Sequence, residues 1–227
     1  MTRSELCATI DRLAVKRPVF HSEADFQHEM ALQLASIGYE VRLEMRVNVA
    51  DDYIYIDLTA NREGQRVAIE LKYIKITGPL NPVIGVDRYG ELFEIFSNWG
   101  PNLSRYDTWS DYSRISCLVN QPNPIISKGY AILLTNVADA WNEPENIMAR
   151  NFPLHDGTEV HNSMDWVWNN HTEDQKSASV GSTRVAGIRL CSTPKPLKWE
   201  EYSKPLNDPS PIINELGHFR YLILETP

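Results

Sequence analysis

The sequence predicts an α/β protein: a mixed central sheet flanked by helices, with a strand-containing C-terminal elaboration. Two observations carry this. Amphipathic helical patterns lead into three successive β-patterned runs within residues 39–73, and a helical stretch at 102–119 leads into a continuous apolar run at 129–136 of the kind that fills a central strand. No linker, internal repeat or low-complexity tract divides the 227 residues, so one domain is expected.

Taken in order, residues 4–16 form a short amphipathic helix through Leu6, Ile10 and Leu13, stopped by Arg17-Pro18, because proline disfavours helix in the residue before it. A second helix starts at the N-cap Ser22 with Asp25 at its third position. It carries the stripe Phe26, Met30, Leu34, Ile37 and ends at Gly38. Residues 39–47 alternate, with Tyr39, Val41, Leu43, Met45 and Val47 on one face and charges on the other. Two further runs, residues 53–59 and 66–73, are expected to pair as a hairpin about Glu63-Gly64 and to pack Ile54, Ile56, Leu58, Val67, Ile69 and Leu71 on one helical layer. Pro79, Pro82, Gly85 and Gly90 break residues 77–90 into a loop, and 91–97 reads as helical. Strands are expected near 184–191 and 218–225.

Pairing about Glu63-Gly64 puts Asp57 opposite Glu70, and Lys72 joins their face two residues on. Like charges opposed on a sheet repel, and carboxylates near a core resist losing water. A hard divalent cation resolves the conflict, since Mg²⁺ is held by one or two carboxylates plus water and phosphate oxygens. Lys72 then places a fixed positive charge beside the metal. The bland alternative is a solvated strand face with a cross-strand ion pair.

The order helix, strand, strand ending in Asp57, strand carrying Glu70-Leu71-Lys72, helix, strand resembles the core of the PD-(D/E)XK nuclease superfamily, the restriction-endonuclease-like fold. The resemblance covers roughly residues 20–136, leaving 137–227 as elaboration. Residues 105–107 with Asp111 and Arg114, the run 129–136, and the late 199–203 and 219–222 look like an uncharacterised bacterial and archaeal group within that superfamily. One departure is that Ile56, not proline, precedes Asp57.

The resemblance implies a Mg²⁺- or Mn²⁺-dependent endonuclease acting on DNA. Asp57, Glu70, Lys72 and Glu23 would be catalytic. Asp57, Glu70, Glu23 and the main-chain carbonyl of Leu71 would be metal ligands, and Gln27 lies one turn beyond Glu23. Such an ion activates water and neutralises charge on the phosphoryl oxygens. Lys75, Arg105, Arg114 and Gln27 are candidates for nucleic-acid contacts that position without reading sequence. RNA or branched DNA are alternative substrates, and homodimerisation is expected by analogy, since cutting both strands needs two sites.

Other readings stand beside these. Arg105, Asp107, Asp111 and Arg114 suit a helical charge network. Glu23 suits a helix N-terminal charge. His155, His161 and His171, near Asp156, Glu159 and Asp165, match no metal-ligand spacing. A catalytically idle nuclease fold serving as a binding module is the second functional class.

The net charge of −8 argues against indiscriminate binding to nucleic acid. Cys7, Cys117 and Cys191 lack zinc or disulfide-framework spacing, which suits a reducing compartment. Residues 1–5 lack a signal-peptide core and no run approaches a membrane span, so a soluble cytoplasmic protein is expected.

Overall fold

The computed structural model describes residues 1–49, 52–76, 83–86, 92–94, 100–145, 149–161, 187–203 and 217–227. It is an α/β fold with a mixed central sheet, helices on both faces and C-terminal strands.

Helix α1, Arg3–Lys16, opens with a capping box in which Thr2 and Glu5 satisfy each other's backbone N–H groups. Helix α2, Glu23–Ser36, is capped by Ser22, whose hydroxyl accepts the Asp25 N–H, as the sequence predicts. Strands β1, Glu40–Val49, β2, Asp52–Arg62, and β3, Gln65–Ile74, follow as an antiparallel meander. Glu63 and Gly64 have φ of 55° and 76°, the two positive values of a type I′ turn, so the hairpin closes where expected. Its register runs from Arg62↔Gln65 to Leu58↔Ile69, and just past that last pair the Asp57 side chain bonds the Leu71 N–H beside Glu70.

Helix α3, Pro101–Val119, crosses to strand β6, Lys128–Thr135, which lies parallel to β3. Strands β7, Trp199–Ser203, and β8, Phe219–Glu225, complete the order β1-β2-β3-β6-β8-β7. Strands β4, Val83–Val86, and β5, Leu92–Glu94, make a separate pair. A short helix α4, Ala138–Trp141, follows β6.

Two cores sandwich the sheet. One, against α1 and α2, gathers Leu6, Ile10, Leu13, Phe26, Leu34, Leu58, Ile69, Leu71 and Tyr73. The other, against α3, gathers Val47, Ile56, Ala68, Trp109, Tyr112, Ile115, Leu133 and Leu224. Gly129 lets α3 approach β6: a Cβ there would lie 1.8 Å from Ile115 Cγ2.

Several expectations are corrected. Ile54 and Ile56 pack with the α3 core while Leu58 packs with the α1/α2 core, so the hairpin's apolar residues do not share one layer. The changeover falls at Asp57 and at the opposing Glu44, whose φ of 48° is uncommon for a side chain in a strand. Strand β1 divides in the same way: Tyr39 and Val41 join the first core, Met45 and Val47 the second, and Leu43 is exposed. A left-handed residue breaks the strict alternation on which the single-face reading depended.

Residues 83–86 and 92–94 are strands, where the sequence suggested loop and helix; the rest of 77–97 lies outside the described residues. Of the strand expected near 184–191, residues 187–190 are irregular and 184–186 lie outside the described residues. Cys117 and Cys191 form a disulfide tying α3 to residues 187–203, across 74 positions that concealed the pairing. The cysteine argument for a reducing compartment therefore fails, since disulfides are rare there. Among the described residues, no helix is long and apolar enough to cross a membrane.

Candidate active site

The hairpin register and the start of α2 converge on one cluster. Asp57 Oδ2 accepts the Leu71 N–H at 2.7 Å, which ties the middle of β2 to β3 beside Glu70. Glu23, the first residue of α2, accepts the Tyr73 N–H through Oε2 at 2.8 Å. Its other oxygen faces the Lys72 ammonium at 3.8 Å. Gln27, one turn on, donates to the Asp57 carbonyl at 2.6 Å and to Glu44 at 2.8 Å, which ties α2 to the point where the hairpin changes layers.

Helix α3 closes the cluster from the other side. Asp111 meets Lys72 at 3.1 Å and Arg114 at 2.8 Å, and Arg114 also reaches Glu70 at 2.9 Å. Four carboxylates, Glu23, Asp57, Glu70 and Asp111, thus surround two cations, Lys72 and Arg114.

Burial makes that imbalance matter. Glu70 is only 2 % exposed, and its carboxyl is held well above the usual range, first by desolvation and then by Asp111, with Arg114 opposing. Asp111 is pushed up to about 6 by burial, with Lys72 and Arg114 pulling the other way. Glu23 is raised by desolvation, against the pull of Lys72. Burial would lower the Lys72 ammonium, but the Asp111 and Glu23 carboxylates outweigh it and hold Lys72 protonated.

Asp57 and Glu70 offer the oxygen atoms that a hard divalent cation would take. Among the described residues, no three His, Cys, Asp or Glu side chains stand grouped as a ready-made metal cage. Two carboxylates meet what Mg²⁺ asks of a protein when water and phosphate complete its shell.

The structure thus brings together Glu23, Asp57, Glu70, Leu71 and Lys72, with Gln27 and Arg114 beside them. Lys75 is buried and donates a short hydrogen bond to the His21 carbonyl. Arg105 is 1 % exposed and bonds the Asp139 carbonyl, at a cavity of about 390 Å³ also lined by Asn142 and Glu143. Neither side chain is placed as a surface phosphate contact. Asp111 is the site residue the sequence reading left in the helical charge network; its spacing from Arg114 was visible, but its burial against β3 was not. His161 pairs with Glu159 at 3.9 Å, both exposed, while His171 and Asp165 lie outside the described residues.

No family model matches the chain. No curated protein matches it. A solved structure, titled as a protein of unknown function, AF1548, is 31 % identical over 22 % of this chain and 28 % of its own, with a TM-score of 0.22. The chain therefore spans little more than a quarter of that protein's length, and at this score the likeness speaks to neither fold nor activity.

Proposed function

We propose that the protein is a metal-dependent endonuclease that hydrolyses phosphodiester bonds of DNA, with a PD-(D/E)XK-type site and fold. The observation that carries this reading is the convergence of Asp57, bound through Oδ2 to the Leu71 N–H, with Glu70 and Lys72, both held by ion pairs to α3. Asp57, Glu70 and Glu23 would hold Mg²⁺ or Mn²⁺, with the Leu71 carbonyl as a further ligand. The ion supplies water activation and neutralisation of phosphoryl charge.

The chain's own groups have separable duties. The Leu71 N–H orients Asp57. Asp111 holds Lys72, and both Asp111 and Glu23 keep it charged, so its ammonium can orient the attacking water and stabilise negative charge in the transition state. Arg114 fixes the rotamer of Glu70 and, being partly exposed, can also face a phosphate.

Plasmid nicking tests the reading. Cleavage is expected with Mg²⁺ or Mn²⁺, absent with chelator, and abolished by Asp57→Ala or Lys72→Ala in protein that still folds; unchanged cleavage in both variants sinks it. A second reading rests on the same ion pairs. Lys72 and Arg114 already offset part of the carboxylate charge, as a catalytically idle module for binding or assembly would require. In that case divalent ions leave the folded state's stability unchanged.

A further inference from the structure

The paired strands β1 and β2 pass from one layer to the other at a point that touches the site. Glu44 stands between the pairs Leu43↔Leu58 and Met45↔Ile56, across from Asp57, with its backbone in the left-handed region. Asparagine or aspartate can offset that conformation by bonding its own backbone; the longer glutamate side chain does not. Such a residue persists where its surroundings hold it, and positions of this kind gather at functional sites. Gln27 of α2 does the holding: its side-chain amide donates to Glu44 Oε1 at 2.8 Å and to the Asp57 carbonyl at 2.6 Å. Both amide hydrogens are thereby engaged. On the other side of β2, pairing with β3 runs as far as Leu58↔Ile69. Beyond it the Leu71 N–H goes to Asp57 Oδ2 at 2.7 Å, a side-chain acceptor where a main-chain carbonyl would continue the ladder. The direction of the Asp57 carboxylate therefore depends on a stretch of backbone that Gln27 and Glu44 hold.

We propose that Gln27 and Glu44 are positioning residues for Asp57: together they hold the break in β1 and β2 that turns its carboxylate onto the Leu71 N–H. What the carboxylate then binds rests on the nuclease reading; how it is held does not. With both amide hydrogens engaged, Gln27 acts through Asp57 and not on a phosphate. Groups that orient a metal-binding carboxylate in this way commonly matter to affinity nearly as much as the carboxylate does.

Amide hydrogen exchange followed by NMR in chelator tests the holding, and calorimetric titration of Mn²⁺ tests its consequence. Gln27→Leu removes both donors, and Glu44→Leu keeps a side chain at the left-handed position without an acceptor. Each should speed exchange of the Leu71 N–H about tenfold relative to that of Ile69, the effect of one weakened hydrogen bond to a charged group. General destabilisation moves the two amides together, so their ratio reports the local bond. Glu44→Gln, with an acceptor of the same reach, should keep the ratio of the unaltered protein. Mn²⁺ affinity should fall about tenfold or more in the leucine variants and hold in Glu44→Gln. An unchanged ratio in Gln27→Leu, or a Glu44→Gln variant as impaired as Glu44→Leu, would overturn the proposal. So would weaker Mn²⁺ binding with the ratio untouched, because Gln27 or Glu44 would then act on the ion itself. A ratio that responds while Mn²⁺ fails to bind, or binds unaltered, leaves the positioning pair standing and removes Asp57 as a ligand. Mn²⁺ binding lost in Asp57→Ala but indifferent to the leucine variants, with the ratio unchanged, does the reverse.

Discussion

The layer beneath α1 and α2 and the layer beneath α3 are built on opposite principles. In the first, Phe20, Phe26, Tyr73 and Phe219 pack against aliphatic side chains, and the charged groups Lys16, Arg17, Asp25 and Glu29 pair around its margin. In the second, Glu70, Asp111 and Arg105 are buried within or beside the apolar packing, and Lys72 and Arg114 are held by carboxylates. Both faces carry an apolar core, and the α3 face also holds a cluster of charge in a costly environment. Buried ion pairs return little net stability after desolvation, so the cluster adds little to folding.

The contrast can be broken first by truncating the apolar side. Leu13→Ala, at a fully buried position, is expected to cost about 2–5 kcal/mol in chemical denaturation, while leaving the pH dependence of stability unchanged. A marked change in pH dependence would mean that the two layers are not separable.

Titration of the α3 layer has a smaller effect. Asp111 is held at about 6 against an ordinary 3.8, so the folded state binds its proton more tightly than the unfolded state does. Its contribution to stability is full below about 3.8 and is lost as pH rises through about 6. Without divalent ions, thermal unfolding should therefore show stability falling across that window, by on the order of 3 kcal/mol at most. Glu70 and Glu23, also raised, act in the same direction. Asp111→Asn should flatten the slope, and added Mn²⁺ should restore more stability near neutral pH than in acid. An unchanged slope in Asp111→Asn would place the titration elsewhere.

How far this was legible in the sequence depends on which physical signal was local. The cap at Ser22, the turn at Glu63-Gly64 and the buried strand at 128–135 follow from short-range rules, and the hairpin register follows from the turn. The left-handed Glu44 could not be read, because nothing in glutamate's chemistry favours that conformation, and with it went the assignment of Ile54 and Ile56 to a layer. The Cys117–Cys191 bond and the burial of Asp111 and Arg105 are long-range facts, fixed by how α3 lies on the sheet. Within the site, acids on strands were identified from alternation, while the acid on α3 was not, since helical spacing alone does not say which face a sheet will cover.

On the proposed reading, the Asp57–Glu70 pair holds a divalent cation. Titration of Mn²⁺ into the metal-free protein at neutral pH, followed by calorimetry, addresses it directly. Binding with release of protons, lost in Glu70→Ala while that variant still unfolds cooperatively, is the predicted result. No binding by the intact protein, or binding that survives Glu70→Ala unaltered, would contradict it.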